Sequence, residues 1–437
     1  MTVTRRVQLQ EAVHVPGLGI KTESKQSGAP LVQLINCRLL SRNGQLVDSD
    51  LWFQNGKILN AFSVFFQNRA IADVQIDCNG AIISPGLIDV QLNGGFGVDF
   101  STFGDDVTDA DYARGLNTVA RGVVKHGVTS FLPTLITSSP AVYKKSLPVI
   151  GQAIKGTSID AAHILGAHLE GPFLSSQKCG CHPPEFLHHK GFGSDVTQTL
   201  SEVYGPDLSP IRVVTLAAEL DGAEEAVRVL KQKGICVSLG HSSAQHADGV
   251  RAVQAGANSI THLFNAMNSY HHRDPGLVGL LATPSLPHPV YYGLIADGIH
   301  THDSALRIAH RTAPDSLVLV TDAMGALGMG DGRHRLGAQT IIVRGLHATL
   351  EGTDITAGSV ATMDQCVRHF VQATSLTLGQ ALVAATLRPA TLLELHHQKG
   401  VLENGADADL ALWDQDGHVQ ATFVQGRLAY VAAQHQH

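Results

Sequence analysis

Apolar and polar positions fall into two regimes along this chain. From Leu31 to about Ile83, short apolar stretches are interrupted at Asn43-Gly44, Asn55-Gly56 and Asn79-Gly80. Asn-Gly accepts the positive φ of tight hairpin turns, so this stretch predicts a β-meander. Ala408 to Val431 repeats the style, with Leu410-Ala411-Leu412-Trp413, a turn at Asp416-Gly417, and strands around Thr422-Phe423-Val424 and Leu428-Ala429-Tyr430. Two β segments at opposite ends predict one small β-sandwich domain, 31–84 with 396–437. Residues 1–30 are largely polar and are expected to form a flexible extension.

Between them, residues 85–395 alternate apolar runs with amphipathic stretches. Ala223 to Lys233 is typical, with Ala226, Val227 and Leu230 apolar and Glu224, Arg228 and Lys231 polar at helical spacing. Strands are expected to end near Asp89, Thr134, Glu170, Glu219, His241, His262, Asp297 and Asp322. Eight is the number that closes a parallel (β/α)8 TIM-type barrel. A doubly wound open sheet gives similar periodicity; the count, and candidate residues spread over four strand ends, favour the barrel within the α/β class.

Those strand ends carry the chemistry. Ala167-His168-Leu169-Glu170 ends in a carboxylate and breaks at Gly171-Pro172, while two other runs deliver His241 and His262 and a fourth, Leu317 to Thr321, delivers Asp322. One Glu and two His make three ligands that leave a coordination position open, as a catalytic site requires. Carboxylate and imidazole groups converging on one face are costly to desolvate without a cation. A bound metal resolves that cost, acidifies water to a pKa of about 7 and polarises a carbonyl, leaving Asp322 to move protons.

Composition removes several classes. The 437 residues are 44% hydrophobic and 16% charged, with a net charge of −7, and Lys and Arg are scattered, so neither nucleic acid nor an anionic membrane is expected. Met1 to Ile20 lacks a signal-like apolar core and nowhere do about 18 apolar residues run together, which predicts a soluble, cytoplasmic protein. Six cysteines without a C-x-x-C pair read as reduced thiols. Cys179-Gly180-Cys181-His182 lacks zinc-motif spacing and reads as a loop, and His188 and His189 read as solvated. Asp89 is expected to hydrogen-bond at its strand end rather than ligate. Gly325 to Gly332 matches no nucleotide-loop pattern and reads as a flexible active-site loop before strands at Thr340–Val343 and Ala348–Leu350 and a last barrel helix from about Ala361.

Five motifs in order carry a family resemblance. Pro85-Gly86-Leu87-Ile88-Asp89-Val90-Gln91-Leu92-Asn93-Gly94-Gly95, His168-Leu169-Glu170-Gly171-Pro172-Phe173, Gly240-His241-Ser242, His262-Leu263-Phe264-Asn265-Ala266-Met267 and Thr321-Asp322-Ala323-Met324-Gly325 resemble the N-acetylglucosamine-6-phosphate deacetylase family of the amidohydrolase superfamily. The likeness runs from about Leu31 to the end, through Arg388-Pro389-Ala390 and Gly405-Ala406-Asp407-Ala408-Asp409-Leu410.

The resemblance implies metal-dependent deacetylation of N-acetylglucosamine 6-phosphate to glucosamine 6-phosphate and acetate, within amino-sugar metabolism. Glu170, His241 and His262 match the family's metal ligands, Asp322 its acid/base, and His182 a histidine that meets the acetyl carbonyl. The metal is expected to be a single divalent ion per subunit, zinc first with iron or another ion open, because Gln91 stands where many relatives have a second His. Just before His182 the family usually has a basic residue and Gly-Ala where this chain has Cys179-Gly180-Cys181. Asn265 and Ala266 offer amide donors to the phosphorylated sugar and Arg273 a planar fork. Arg273 and His300 match substrate-binding positions shared across a homodimer interface. Rival readings are another amidohydrolase, a cyclic amidase or deaminase, which should lack the phosphate-binding set, and a non-catalytic scaffold, which should have lost ligands or Asp322. The glucosamine or galactosamine epimer and acetyl or glycolyl preference stay open.

Overall fold

A computed structural model describes residues 4–19, 29–104, 106–156, 160–336, 339–353 and 356–433. Eight parallel strands form its centre: Leu87–Leu92, Val128–Ile136, Ala167–Glu170, Ile211–Leu216, Cys236–Leu239, Ser259–Ile260, Tyr291–Ile295 and Leu317–Val320. Each pairs in parallel with the next in chain order. The ring closes where the eighth meets the first, through a parallel bridge Leu92↔Ala323 and Asp322 N donating to Gln91 O at 2.9 Å. The (β/α)8 barrel is therefore present.

Alternation along the strands divides the core in two. Val90, Leu132, Val213, Ile295, Val318 and Val320, from five strands, cluster with Leu392 and Leu393 and fill the barrel. Leu317 and Leu319, which alternate with Val318 and Val320, instead join the cluster beneath the helices. The helix Ala223–Gln232 buries Ala223, Ala226, Val227 and Leu230, the face its spacing predicts. The helix Met363–Thr374 starts two residues past the expected Ala361, set by a capping box at Thr362.

The β segments of both chain ends form one continuous nine-stranded sheet. Val74–Pro85 is its spine: it pairs with Val32–Leu40 on one edge and with Arg5–Gln8 and Leu410–Trp413 on the other. The expectation of a flexible extension over 1–30 needs correction for residues 5–19. Arg5–Gln8 is a strand in register with Val74–Asp77, and Val7, Leu9, Ala12, Val15 and Leu18 are buried against Leu34, Phe53, Ile76, Leu410 and Phe423. Its polar residues simply face outward; residues 1–3 and 20–28 of that expectation lie outside the described residues. Gly325–Gly332 also divides: Ala326 and Leu327 are buried with 2% exposure each, and Gly332 already begins the three-stranded sheet completed by Gln339–Arg344 and His347–Leu350. The fourth barrel strand stops at Leu216, three residues short of the expected Glu219.

Candidate metal centre and active site

Glu170 is the last residue of the third barrel strand, and His241, His262 and Asp322 each lie two residues beyond the end of theirs. These three share a left-handed backbone, with φ of 48°, 27° and 48°. Non-glycine residues adopt this region at a cost of about 1–3 kcal/mol each, and only where surroundings enforce it. Here His241 O accepts from Ser175 N at 2.9 Å, Leu263 N donates to Gly293 O at 2.8 Å, and Asp322 N reaches Gln91 O. Each turn swings its side chain over the barrel mouth.

The swing brings three donor atoms together. Glu170 Oε1 lies 3.1 Å from His241 Nε2 and 3.0 Å from His262 Nε2, and the two nitrogens are 3.1 Å apart. A tetrahedral ion with bonds of roughly 2.0–2.1 Å sets its donors about 3.3 Å from one another, so this triangle matches one face of such a shell. His241 Nδ1 donates to Lys178 O at 2.8 Å, which orients the ring with its Nε2 toward Glu170. His262 Nδ1 is buried without a partner. Among the described residues these three form the one group of His, Cys, Asp or Glu close enough to hold an ion. The residues fit a small divalent cation.

Charge points the same way. Burial raises the Glu170 carboxyl, but the two facing imidazoles outweigh it and hold it well below the usual range. Burial likewise opposes a charge on His262, yet Glu170 and Asp322 push it up to about 9. The cluster draws positive charge to itself.

Asp322 is held beside this centre. Its Oδ1 accepts from Asn93 Nδ2 at 2.7 Å and from Gln91 Nε2 at 3.1 Å, and the same Gln91 nitrogen lies 3.1 Å from Glu170 Oε1. Gln91 thus ties the two carboxylates together. Burial, with the nearby Glu170 charge, raises Asp322 to about 6, which suits a group that accepts and returns a proton near neutral pH. Asp89 accepts from Thr321 Oγ1 at 2.5 Å and stitches the first strand to the eighth.

His182 is buried with its ring 4.4 Å from that of His241, centroid to centroid. Cys179 and Cys181 are free thiols; Cys181 packs beside Met324 and Ala357, and burial pushes its thiol up to about 12. His188 leans on Phe173, half-buried rather than solvated, while His189 is exposed.

The expected substrate positions differ among themselves. Asn265 follows His262 closely, and its Nδ2 is a buried donor with no partner. Ala266 has φ 50° and its carbonyl takes Ser242 N at 3.1 Å. Arg273 is exposed, and no hydrogen bond or ion pair joins its guanidinium to the site within the chain, among the described residues. His300 Nδ1 meets Asp297 Oδ2 at 2.6 Å and its Nε2 meets Ala357 O at 3.0 Å within its own chain. Burial lowers its pKa, but the Asp297 bond prevails and raises it.

A polar layer not foreseen from sequence lies under the ligands. Leu92 N donates to Thr134 Oγ1 (3.0 Å), which meets His168 Nδ1 (3.1 Å); His168 Nε2 meets Thr215 Oγ1 (2.8 Å), then Thr261 Oγ1 (2.7 Å) and Ser238 Oγ (2.7 Å). Because Thr261 donates to Ser238, every hydrogen in the series runs one way, from the first strand to the fifth. His168 could have been found: two residues before Glu170, it shares that residue's face of the strand. Glu219 was foreseen only as a strand end; its carboxylate instead takes Ser242 Oγ and, at 2.7 Å, Ser243 N, bracing the turn after His241.

The amidohydrolase family model matches residues 82–429. An N-acetylglucosamine-6-phosphate deacetylase of Caenorhabditis elegans is 52% identical over 413 residues, 94% of this chain and 97% of that one. The crystal structure of an N-acetylglucosamine-6-phosphate deacetylase from Pasteurella multocida superposes with a TM-score of 0.79 at 28% identity, covering 91% of this chain and 99% of that one. An aspartate-to-alanine mutant of the Mycobacterium smegmatis enzyme, in complex with N-acetyl-D-glucosamine-6-phosphate, gives 0.76 at 31% identity, covering 91% and 98%.

Proposed function

The chain belongs to the amidohydrolase family, and we infer that it hydrolyses the acetamide of N-acetylglucosamine 6-phosphate, giving glucosamine 6-phosphate and acetate. One observation carries the mechanism: Glu170, His241 and His262 turn three donor atoms on one point, with Asp322 tied to the same cluster through Gln91.

Glu170, His241 and His262 would hold one divalent ion. When bound, such an ion acidifies water and polarises an acyl oxygen as a Lewis acid. Asp322, ionised above about pH 6, takes the proton of the attacking water and returns it to the amine nitrogen as the C–N bond breaks. Asn93 and Gln91 keep its Oδ1 aimed while the proton moves. His182 donates from Nε2 to the acyl oxygen as negative charge develops there. Asn265, with its unpartnered Nδ2, and the neighbouring Ala266 receive the phosphorylated sugar. His300 is proposed as a substrate contact, its ring oriented by Asp297.

Three finer points belong to this reading. Zinc is the ion proposed, on the strength of a nitrogen-rich, three-ligand set. A homodimer is proposed in which Arg273 serves the partner's site, since its guanidinium has no use within its own chain among the described residues. A reducing, cytoplasmic setting is supported by six free thiols, and no helix among the described residues is long and apolar enough to cross a membrane. The test is acetate release from N-acetylglucosamine 6-phosphate, its galactosamine epimer and unphosphorylated N-acetylglucosamine. Turnover confined to phosphorylated substrates supports the reading, and equal turnover of the unphosphorylated sugar defeats it.

A further inference from the structure

We propose that Thr137 is a positioning residue that holds His182 in the single tautomer able to donate from Nε2 into the site. This rests on the role given to His182 above and deepens it.

Thr137 is the first residue after the second barrel strand. Its backbone N lies 3.2 Å from His182 Nδ1 and its Oγ1 lies 2.8 Å from the same atom. A backbone N–H can only donate, so Nδ1 must present its lone pair. A neutral imidazole has one ring hydrogen, which is thereby assigned to Nε2. The doubly protonated ring is disfavoured by the same contact, because it would set two N–H groups against each other. Among the described residues Nε2 has no protein partner, so its hydrogen is free for a ligand. Thr137 Oγ1 reinforces the choice by donating its own hydrogen to Nδ1.

The surroundings leave Thr137 little freedom. Ile136 O accepts from Ser138 Oγ at 2.9 Å and from Tyr143 Oη at 3.2 Å, and Ser138 N donates to Tyr143 Oη at 3.1 Å, which pins the turn on both sides of Thr137. From the other side the hydroxyl occupies the space a side chain at Gly171, next to Glu170, would need: an added Cβ would lie 2.3 Å from Thr137 Oγ1. Thr137, the glycine after a metal ligand and the proposed acyl-oxygen donor are thus one packed unit.

Two measurements test this. In zinc-loaded protein labelled with 15N-histidine, the His182 ring, assigned by its disappearance in His182→Gln, should show protonated Nε2 and unprotonated Nδ1 at neutral pH; the reverse pattern overturns the proposal. Thr137→Val keeps the backbone N–H and with it the tautomer but removes the hydroxyl that helps aim the ring, so it should lower kcat roughly tenfold with little change in KM and leave the 15N pattern unchanged, and Thr137→Ser should restore most of the loss. Wild-type kcat in Thr137→Val, with the protein folded and metal-loaded, also overturns it. If His182→Gln itself keeps full kcat, the role of His182 fails instead, whichever tautomer is found.

Discussion

His241 and His262 point their Nε2 atoms at one another across 3.1 Å, and both nitrogens rest on the same oxygen of Glu170. His262 Nε2 lies 3.0 Å from Glu170 Oε1, and its raised pKa keeps a hydrogen on that nitrogen in the metal-free protein. A divalent cation held by Glu170, His241 and His262 would take the place of that hydrogen. Metal added to stripped protein at pH 8 should therefore release about one proton per ion, since His262 is pushed up to about 9 in the metal-free state. Calorimetry in two buffers of different ionisation enthalpy measures it. At a hundredfold excess over Kd the ion should add about 2.7 kcal/mol of stability.

Gly171→Ala should fail for a reason visible in the backbone. The residue has φ +91°, and an added Cβ meets Thr137 Oγ1 at 2.3 Å. Strain and displacement together should cost at least about 2 kcal/mol in urea unfolding and lower activity more than roughly tenfold, because Glu170 is the preceding residue. Unchanged stability would refute the packing described.

Acid stability should depend on Asp364. Burial works against its ionised form, but bonds from His126, Thr362 and Arg368 outweigh it and hold the pKa at about 2. With an unfolded value of about 3.9, its stabilising effect is complete above about pH 4 and is lost as the pH falls through about 2. Asp364→Asn should remove about 2 kcal/mol at neutral pH and flatten stability between about pH 4 and 2, measured by chemical denaturation.

Deleting residues 1–19 should destabilise the β domain. The segment buries Val7, Leu9, Ala12, Val15 and Leu18 and pairs Arg5–Gln8 with the spine strand, so its loss opens an apolar face and a strand edge. Each large side chain so exposed is worth about 1.5–3 kcal/mol. A melting temperature equal to that of the full chain would restore the view of a loose extension.

The grouping of Glu170, His241 and His262 was legible because each closes an apolar run, and eight such runs define the barrel. What sequence could not show is the left-handed turn at His241, His262 and Asp322: none is glycine, and the conformation is enforced by backbone partners such as Ser175 and Gln91 that lie far away in the chain. The partners of His300 were hidden for a similar reason, since the carbonyl of Ala357 that meets its Nε2 lies 57 residues on. The N-terminal strand escaped notice because its alternation is short and acquires meaning only beside Val74–Asp77. Thr137 carries no motif of its own, and its importance comes from the tautomer it imposes on His182.

The central claim is that Asp322 moves the proton at a centre held by Glu170, His241 and His262. Metal content and acetate release from N-acetylglucosamine 6-phosphate, measured together on wild type and Asp322→Asn, test it most directly. The account predicts about one divalent ion per chain in both proteins and a loss of roughly 10²–10⁴ in kcat for the variant alone. Undiminished turnover in a metal-loaded Asp322→Asn protein would contradict it.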